Sequence, residues 1–404
     1  MSSLLSPHTH TTPVGPLRPT PPALPHSRLT PWQTHTRVVS PAALAAADLQ
    51  AWSALEARAL EPNLYLSPHF VLPALRHLDP GLKAQLYLAE RQVEGERRII
   101  GVALLHSQAP TRHLPVPHLS AYQSRHSYLG PWLLDRDHAP EAATALLQQI
   151  RSHHPWAAAL VLPNHPFDGE QQLAMQAAAR TIGSEPLNLG RRRRALLIPA
   201  QAGPQSLRER MGTKQYNNNE RCRRRLQERG TLSWQVLRGE VSESHLQDFL
   251  ALEHQGWKQE SGTSLRSNPA DEAFFLDMAR GLAREGRALF TELRLDDRVI
   301  ASTANFVAGH TGFAFKVGWD EPLRKFGIGI LNEAEFVQQA PQACADLHTI
   351  DSGSQPASFI EMLWPDVREL ATCVVPLNRW GRWALHAQRK LASLKKQATV
   401  RTET

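Results

Sequence analysis

The chain is 404 residues long, with 42% hydrophobic and 21% charged residues and a formal net charge of +7. This is the composition of a folded globular protein, and the length predicts two domains. No apolar run approaches the roughly 18 residues of a membrane helix. No basic-then-apolar leader follows Met1, and Cys222, Cys344 and Cys373 are too few and too scattered for a disulfide framework or a zinc site. The expectation is a cytoplasmic protein without a metal.

Residues 1–36 are rich in Pro, Thr, His and Ser without periodicity, and predict a disordered tail. Residues 41–59 are Ala- and Leu-rich and predict a helix entered through Ser40, and Ser67 opens another over residues 68–78. Residues 83–90 and 98–107 predict a hairpin. A helix over 141–153, a strand over 157–162 stopped by Pro163-Asn164-His165-Pro166, and a helix over 171–182 complete a first domain, residues 37–205.

The second domain, residues 206–390, repeats this order without obvious identity. It opens with a helix over 207–228, a strand over 231–237, a helix over 242–258 and another over 271–285. Strands over 288–295, 299–308 and 312–319 follow, linked by Asp296-Asp297 and by Gly309-His310-Thr311-Gly312. A helix over 330–340 and strands over 347–351 and 372–376 come last, before a basic tail at 391–404. Antiparallel hairpins feeding a helix crossover make the class mixed α/β (α+β).

Basicity is concentrated between Arg191 and Arg229, where twelve Arg and Lys residues face only Glu209, Glu220 and Glu228. A nucleic-acid surface would interleave aromatic platforms, and only Tyr216 is present. The segment therefore reads either as a solvated helix face or as a surface for an anionic coenzyme or acceptor.

One run carries chemistry. Arg324-Lys325-Phe326-Gly327-Ile328-Gly329 lies between a strand and a helix. Two glycines let backbone approach a ligand closely, and the free N–H groups of the first helical turn point at an anion. The spacing is neither the dinucleotide fingerprint nor the P-loop, which needs Lys-Ser/Thr after its last glycine. R-x-x-G-x-G in this setting resembles the coenzyme A signature of the GNAT acetyltransferase superfamily. Further blocks extend the likeness: residues 249–258, reading FLALEHQGWK, then Ser261-Gly262-Thr263-Ser264, Val299-Ile300-Ala301, Phe315-Lys316-Val317-Gly318-Trp319-Asp320, and Asp351 with Trp364. Together they resemble the acetyltransferase domain of CelD-type proteins, relatives of the FemAB peptidyltransferases. The turn departs from the Ser-Pro-Gly common in that family.

The resemblance implies two tandem GNAT-like domains and an N-acyltransferase that takes acetyl-CoA or another acyl-CoA as co-substrate. The acceptor would be an amine, and the family name associates such enzymes with polysaccharide or cell-envelope work. Residues around Gly130-Pro131-Trp132-Leu133 lack a second glycine and a basic pair, so only the second domain is expected to bind coenzyme. Phe315 and Val317 would pair with the pantetheine arm, Arg324 and Lys325 would offset its charge, and Gly327, Ile328, Gly329 and Ile330 would hold the pyrophosphate. Asp351, Glu253 and Lys316 are the candidate catalytic residues, with Asp320 a weaker carboxylate that could instead tether Arg324. Many relatives protonate the leaving thiolate with a tyrosine, and this chain has none after Tyr216, which leaves Cys344, His348 or water, or a thiolate that departs unaided. Two other readings stay open: a FemAB-like transferase fed by aminoacyl-tRNA, and an adaptor that kept the fold without catalysis.

Overall fold

The computed structural model describes residues 34–387 except positions 94, 113, 131 and 240. Nearly all of the expected N-terminal tail and all of the basic C-terminal tail lie outside the described residues. The first half contains β1 (His35–Val39), α1 (Ala46–Glu56), α2 (Pro68–Pro73), β2 (Ala84–Val93), β3 (Glu96–Gln108), β4 (His118–Ala121), β5 (Leu133–Leu134), α3 (Ala139–His153), β6 (Ala159–Pro166), α4 (Glu170–Thr181) and β7 (Leu187–Leu197). The second half contains α5 (Pro204–Gln227), β8 (Leu232–Gly239), α6 (Glu243–Glu253), α7 (Trp257–Glu260), α8 (Pro269–Arg284), β9 (Ala288–Leu295), β10 (Arg298–Ala308), β11 (Thr311–Trp319), α9 (Ile328–Ala343), β12 (Thr349–Asp351) and β13 (Asp366–Pro376).

Sequence periodicity accounts for the local structure. In α3 the residues Ala139, Ala142, Ala143, Leu146, Leu147 and Ile150 recur at helical spacing and are all buried. In α8 the buried set is Phe274, Phe275, Met278, Ala279 and Leu282, and Phe274 meets Phe70 of α2 edge to face at 5.1 Å. Burying each of these large side chains contributes roughly 1.5–3 kcal/mol.

All the strands join one sheet in the order β1-β2-β3-β4-β6-β13-β7-β12-β11-β10-β9-β8, with β5 beside β3. Its middle shows the tandem arrangement. In the first half β4 and β6 run parallel across the α3 crossover, and in the second β11 and β12 run parallel across α9. Each half then gives its last strand away: β13 pairs with β6, β7 pairs with β12, and β7 and β13 pair with each other. The largest core follows suit, joining Trp52, Phe70, Leu86 and Leu104 of the first half to Phe249, Phe274, Phe306 and Phe313 of the second.

β7 was not foreseen. Its Arg191-Arg192-Arg193-Arg194 run reads as surface charge, yet the alternation of a strand leaves Arg191 and Arg193 exposed while Arg194 is buried. The predicted helix over 242–258 is also interrupted, because α6 ends at Glu253 and the chain turns through Gly256 at φ +57° before α7. The break sends the two ends of that segment different ways: Glu253 is fully buried, and Trp257 is 54% exposed.

Candidate active site

The parallel pairing of β11 and β12 covers only Thr311–Phe313 against Thr349–Asp351. Beyond Phe313 the strands part, and among the described residues no strand pairs with the outer edge of β11, while its inner edge stays bonded to β10 up to Trp319. The register against β10 slips by one residue at Phe315, a bulge that re-aims the backbone where the strands divide. The open edge runs straight into the glycine turn. Gly327 sits at φ +61°, a left-handed conformation that disfavours any side chain, and α9 starts at Ile328 with no acidic residue in its first turn. Trp319, Arg324, Gly327, Ile328, Gly329, Ile330 and Phe359 line a cavity of about 240 Å³. A larger hollow, about 840 Å³, is lined only by first-half residues such as Lys83 and Trp156, away from the turn.

The charge around this cavity is uneven. Arg324 is exposed and touches Glu321 at 3.2 Å, and Lys325 lies over the Phe326 ring. Arg225 and Arg229 of the basic segment also reach that ring, at 5.5 and 4.8 Å, whereas Arg223 pairs with Glu335 and is spent within the fold. Asp320 pairs with Arg298 at 3.0 Å rather than with Arg324, as the sequence had suggested.

The three candidate catalytic residues fare differently. Gly318 allows the end of α6 to press on β11: a Cβ there would lie 2.6 Å from the backbone nitrogen of Glu253. That contact brings Glu253 to the open edge. Its Oε2 accepts a bond from the Leu265 N–H at 2.8 Å, while Oε1 lies 3.4 Å from Lys258 Nζ without hydrogen-bond geometry and has no other partner. Lys258 Nζ donates to the Val317 carbonyl of β11 and sits 5.4 Å from the Trp319 ring centre. Burial holds its pKa below the usual lysine value, although Glu253 opposes the shift. Lys316 is half-buried on β11, and its charge lowers the pKa of both Lys258 and His126.

Asp351 is held differently. Both of its oxygens are engaged: Oδ1 by Arg194 at 3.4 Å and by the Gly353 N–H at 2.9 Å, Oδ2 by Arg368 at 3.3 Å. Arg368 also bonds Glu61 at 2.7 Å. With both oxygens committed to guanidinium and amide partners, Asp351 ties β7, β12 and β13 together at the fork. Beside it the buried Arg194 Nη2 and Tyr65 Oη have no hydrogen-bond partner among the described residues.

The substitutes for a missing tyrosine do not reach the fork. Cys344 caps the far end of α9, some 16 residues or about 24 Å along the helix from the turn, and burial pushes its thiol up to about 11. His348 stacks on His310, at the opposite end of β11 from the bulge. The first half instead supplies side chains that the sequence did not flag. Tyr128 lies against Gly353, where a Cβ would be 3.1 Å from its ring and 2.9 Å from the Ala314 carbonyl. His126 stacks on Phe274 at 5.5 Å and bonds Asp271 at 2.6 Å. Burial, then the Lys316 charge, hold the His126 pKa below its ordinary value against the pull of Asp271.

The equivalent fork in the first half is filled. The loop after β4 places Gln123 Nε2 on the Pro163 carbonyl and the Gly130 N–H on the Asn164 carbonyl, so closely that a Cβ at Gly130 would lie 2.3 Å from the Pro163 oxygen. At the start of α3, Pro140 removes one amide and Glu141 presents an acid.

Residues 213–359 match the family described as Acetyltransferase (GNAT) domain. This chain carries a GNAT acetyltransferase domain. Among curated proteins none matches the sequence. The fold is similar to that of a conserved protein of unknown function from Bacteroides thetaiotaomicron, at TM-score 0.51 and 10% identity over 86% of this chain and 99% of that one. It is also similar to FemX, at 0.51 and 12% over 80% and 95%, and to L-PGS from Bacillus licheniformis, at 0.50 and 13% over 87% and 97%. The GNAT domain match supports an acyltransferase. Among the described residues no helix is long and apolar enough to cross a membrane, and no cluster of His, Cys, Asp and Glu could hold a metal ion.

Proposed function

We propose that the protein transfers an acyl group from an acyl-CoA thioester to an amine, using one coenzyme site in the second half. The observation that carries this reading is the open edge of β11 leading into Gly327–Gly329 at the acid-free start of α9. The amides of Gly327, Ile328, Gly329 and Ile330 face the pyrophosphate, and Arg324 and Lys325 offset its charge. Phe315 and Val317 pair with the pantetheine arm, and the bulge at Phe315 turns a backbone N–H toward the oxyanion that forms on the thioester carbonyl.

Acyl transfer needs a neutral amine close to that carbonyl. Glu253 Oε1, with no hydrogen bond of its own, is the acceptor for the amine proton, and Lys316 adds positive potential as the oxyanion develops. Asp351 keeps Arg194 and Arg368 in place and so acts through them. Calorimetric titration with acetyl-CoA tests the reading: one molecule per chain supports it, and no binding overturns it. The Arg225 and Arg229 side chains beside the turn also favour a polyanionic donor, so aminoacyl-tRNA is titrated in parallel. Binding of tRNA alone would transfer the reading to a FemAB-like donor, and binding of neither would favour an adaptor.

A further inference from the structure

Lys258 is largely withdrawn from solvent, and the machinery proposed above does not use it. Its side chain is 12% exposed, with the amine fixed on the Val317 carbonyl of the open β11 edge. Trp319 flanks it, and that ring also walls the glycine turn, where a Cβ at Gly329 would touch it at 3.4 Å. The amine therefore lies on the open β11 edge, beside the tryptophan that walls the glycine turn. Glu253 Oε1 is 3.4 Å away and otherwise unpartnered.

We propose that Lys258 is an acyl acceptor in cis, a self-acylation site on the open β11 edge. The inference rests on the coenzyme reading above. The neutral Nζ attacks the thioester carbonyl, a C–N bond forms, and the C–S bond breaks. Nζ gives one proton to Glu253 Oε1, which passes it to the departing coenzyme thiolate, leaving an Nε-acyl-lysine and free thiol. Desolvation favours this, because it enlarges the share of uncharged amine near neutral pH. The product is an amide, too stable to pass its acyl group on, and it occupies the strand edge that a second coenzyme would need. Self-acylation is thus an off-switch, engaged when donor is abundant and acceptor scarce.

The test incubates the full-length protein with acetyl-CoA and no acceptor, followed by intact mass and peptide mapping. One added acetyl group on Lys258 is expected, absent in Lys258→Arg and slowed roughly 10²-fold in Glu253→Gln. The acetylated protein should also bind fresh acetyl-CoA more weakly. An unmodified Lys258 in protein that binds acetyl-CoA by calorimetry overturns the proposal, as does acetylation spread over exposed lysines at a rate unaltered by Gly329→Asp. Failure of the coenzyme reading is seen separately, as no calorimetric binding. In that event a small acetyl thioester, S-acetyl-N-acetylcysteamine, probes the lysine directly, and reaction at Lys258 no faster than at exposed lysines refutes it. Lys258→Arg, which keeps the charge beside Glu253, guards against misreading a folding defect.

Discussion

Gly329→Asp gives the sharpest reading of the glycine turn, because the structure separates its effect on binding from its effect on folding. A Cβ at Gly329 would lie 3.4 Å from Trp319, an ordinary van der Waals contact, so the side chain fits. An acid in the first turn of a helix opposes no charge there and interacts favourably with the helix dipole, by about 0.3–1 kcal/mol. The variant should therefore melt at or slightly above the wild-type temperature. Against a bound pyrophosphate the same carboxylate is a like charge: at about 5 Å and an effective dielectric constant near 20, each pair of charges costs about 3 kcal/mol. Acetyl-CoA affinity should fall by roughly 10²-fold or more, and the loss should shrink as salt is raised. Gly329→Ala is the control and should bind almost normally. Calorimetry, or quenching of the nearby Trp319, measures both. Wild-type affinity in a well-folded Gly329→Asp protein would refute the assignment of the turn.

Glu253→Gln should leave acetyl-CoA affinity nearly intact and lower turnover on an identified amine by roughly 10²- to 10⁴-fold, read as a fall in kcat. Asp351→Asn should instead cost stability, about 3–5 kcal/mol by denaturant unfolding, because it strips charge from a site holding Arg194 and Arg368. Gln at Arg225 and Arg229 should weaken coenzyme binding and flatten its salt dependence, whereas Arg223→Gln should act mainly on stability through Glu335. Glu333 of α9 is buried with Thr303 as its hydrogen-bond donor, and burial raises its carboxyl from 4.5 to about 7. The folded state then keeps a proton that the unfolded chain releases, so stability falls as pH rises from 4.5 through about 7, by about 3 kcal/mol at 1.36 kcal/mol per pH unit. Glu333→Gln should be more stable than wild type at pH 8 and equal to it near pH 4, by urea midpoints.

Strands β9, β10 and β11 and the helix after the turn were legible because each is a local pattern of alternation or helical spacing closed by turn residues. The turn itself was legible for the same reason, since Arg324 to Gly329 is one contiguous segment. What escaped depends on distant partners. Arg194 reads as one more surface arginine until β13 pairs beside it and Asp351 of β12 meets its guanidinium, and nothing near Arg194 in the sequence announces Asp351. Tyr128 and His126 lie far before the turn in sequence, and only tertiary contact draws them from the first half to Gly353 and Phe315. Glu253 stands in a block that the sequence marks, but what carries it to β11 is the close approach at Gly318, which no local pattern shows.

The exchange of last strands has a consequence for how the chain is made. β6 and β7 are complete long before β13, their common neighbour, has left the ribosome. At 5–20 residues per second, roughly 180 residues of further synthesis keep that gap open for on the order of ten seconds or more. During this time the first half presents two unfinished edges of the kind that seed aggregation. Pro163 and Pro166, inside β6 rather than stopping it as the sequence suggested, and the arginines of β7 sit on those edges, where a proline has no N–H to offer and like charges repel a second copy. Until β12 and β13 arrive, the positive charge of the arginine run has no Asp351 beside it, and neither half completes its own sheet.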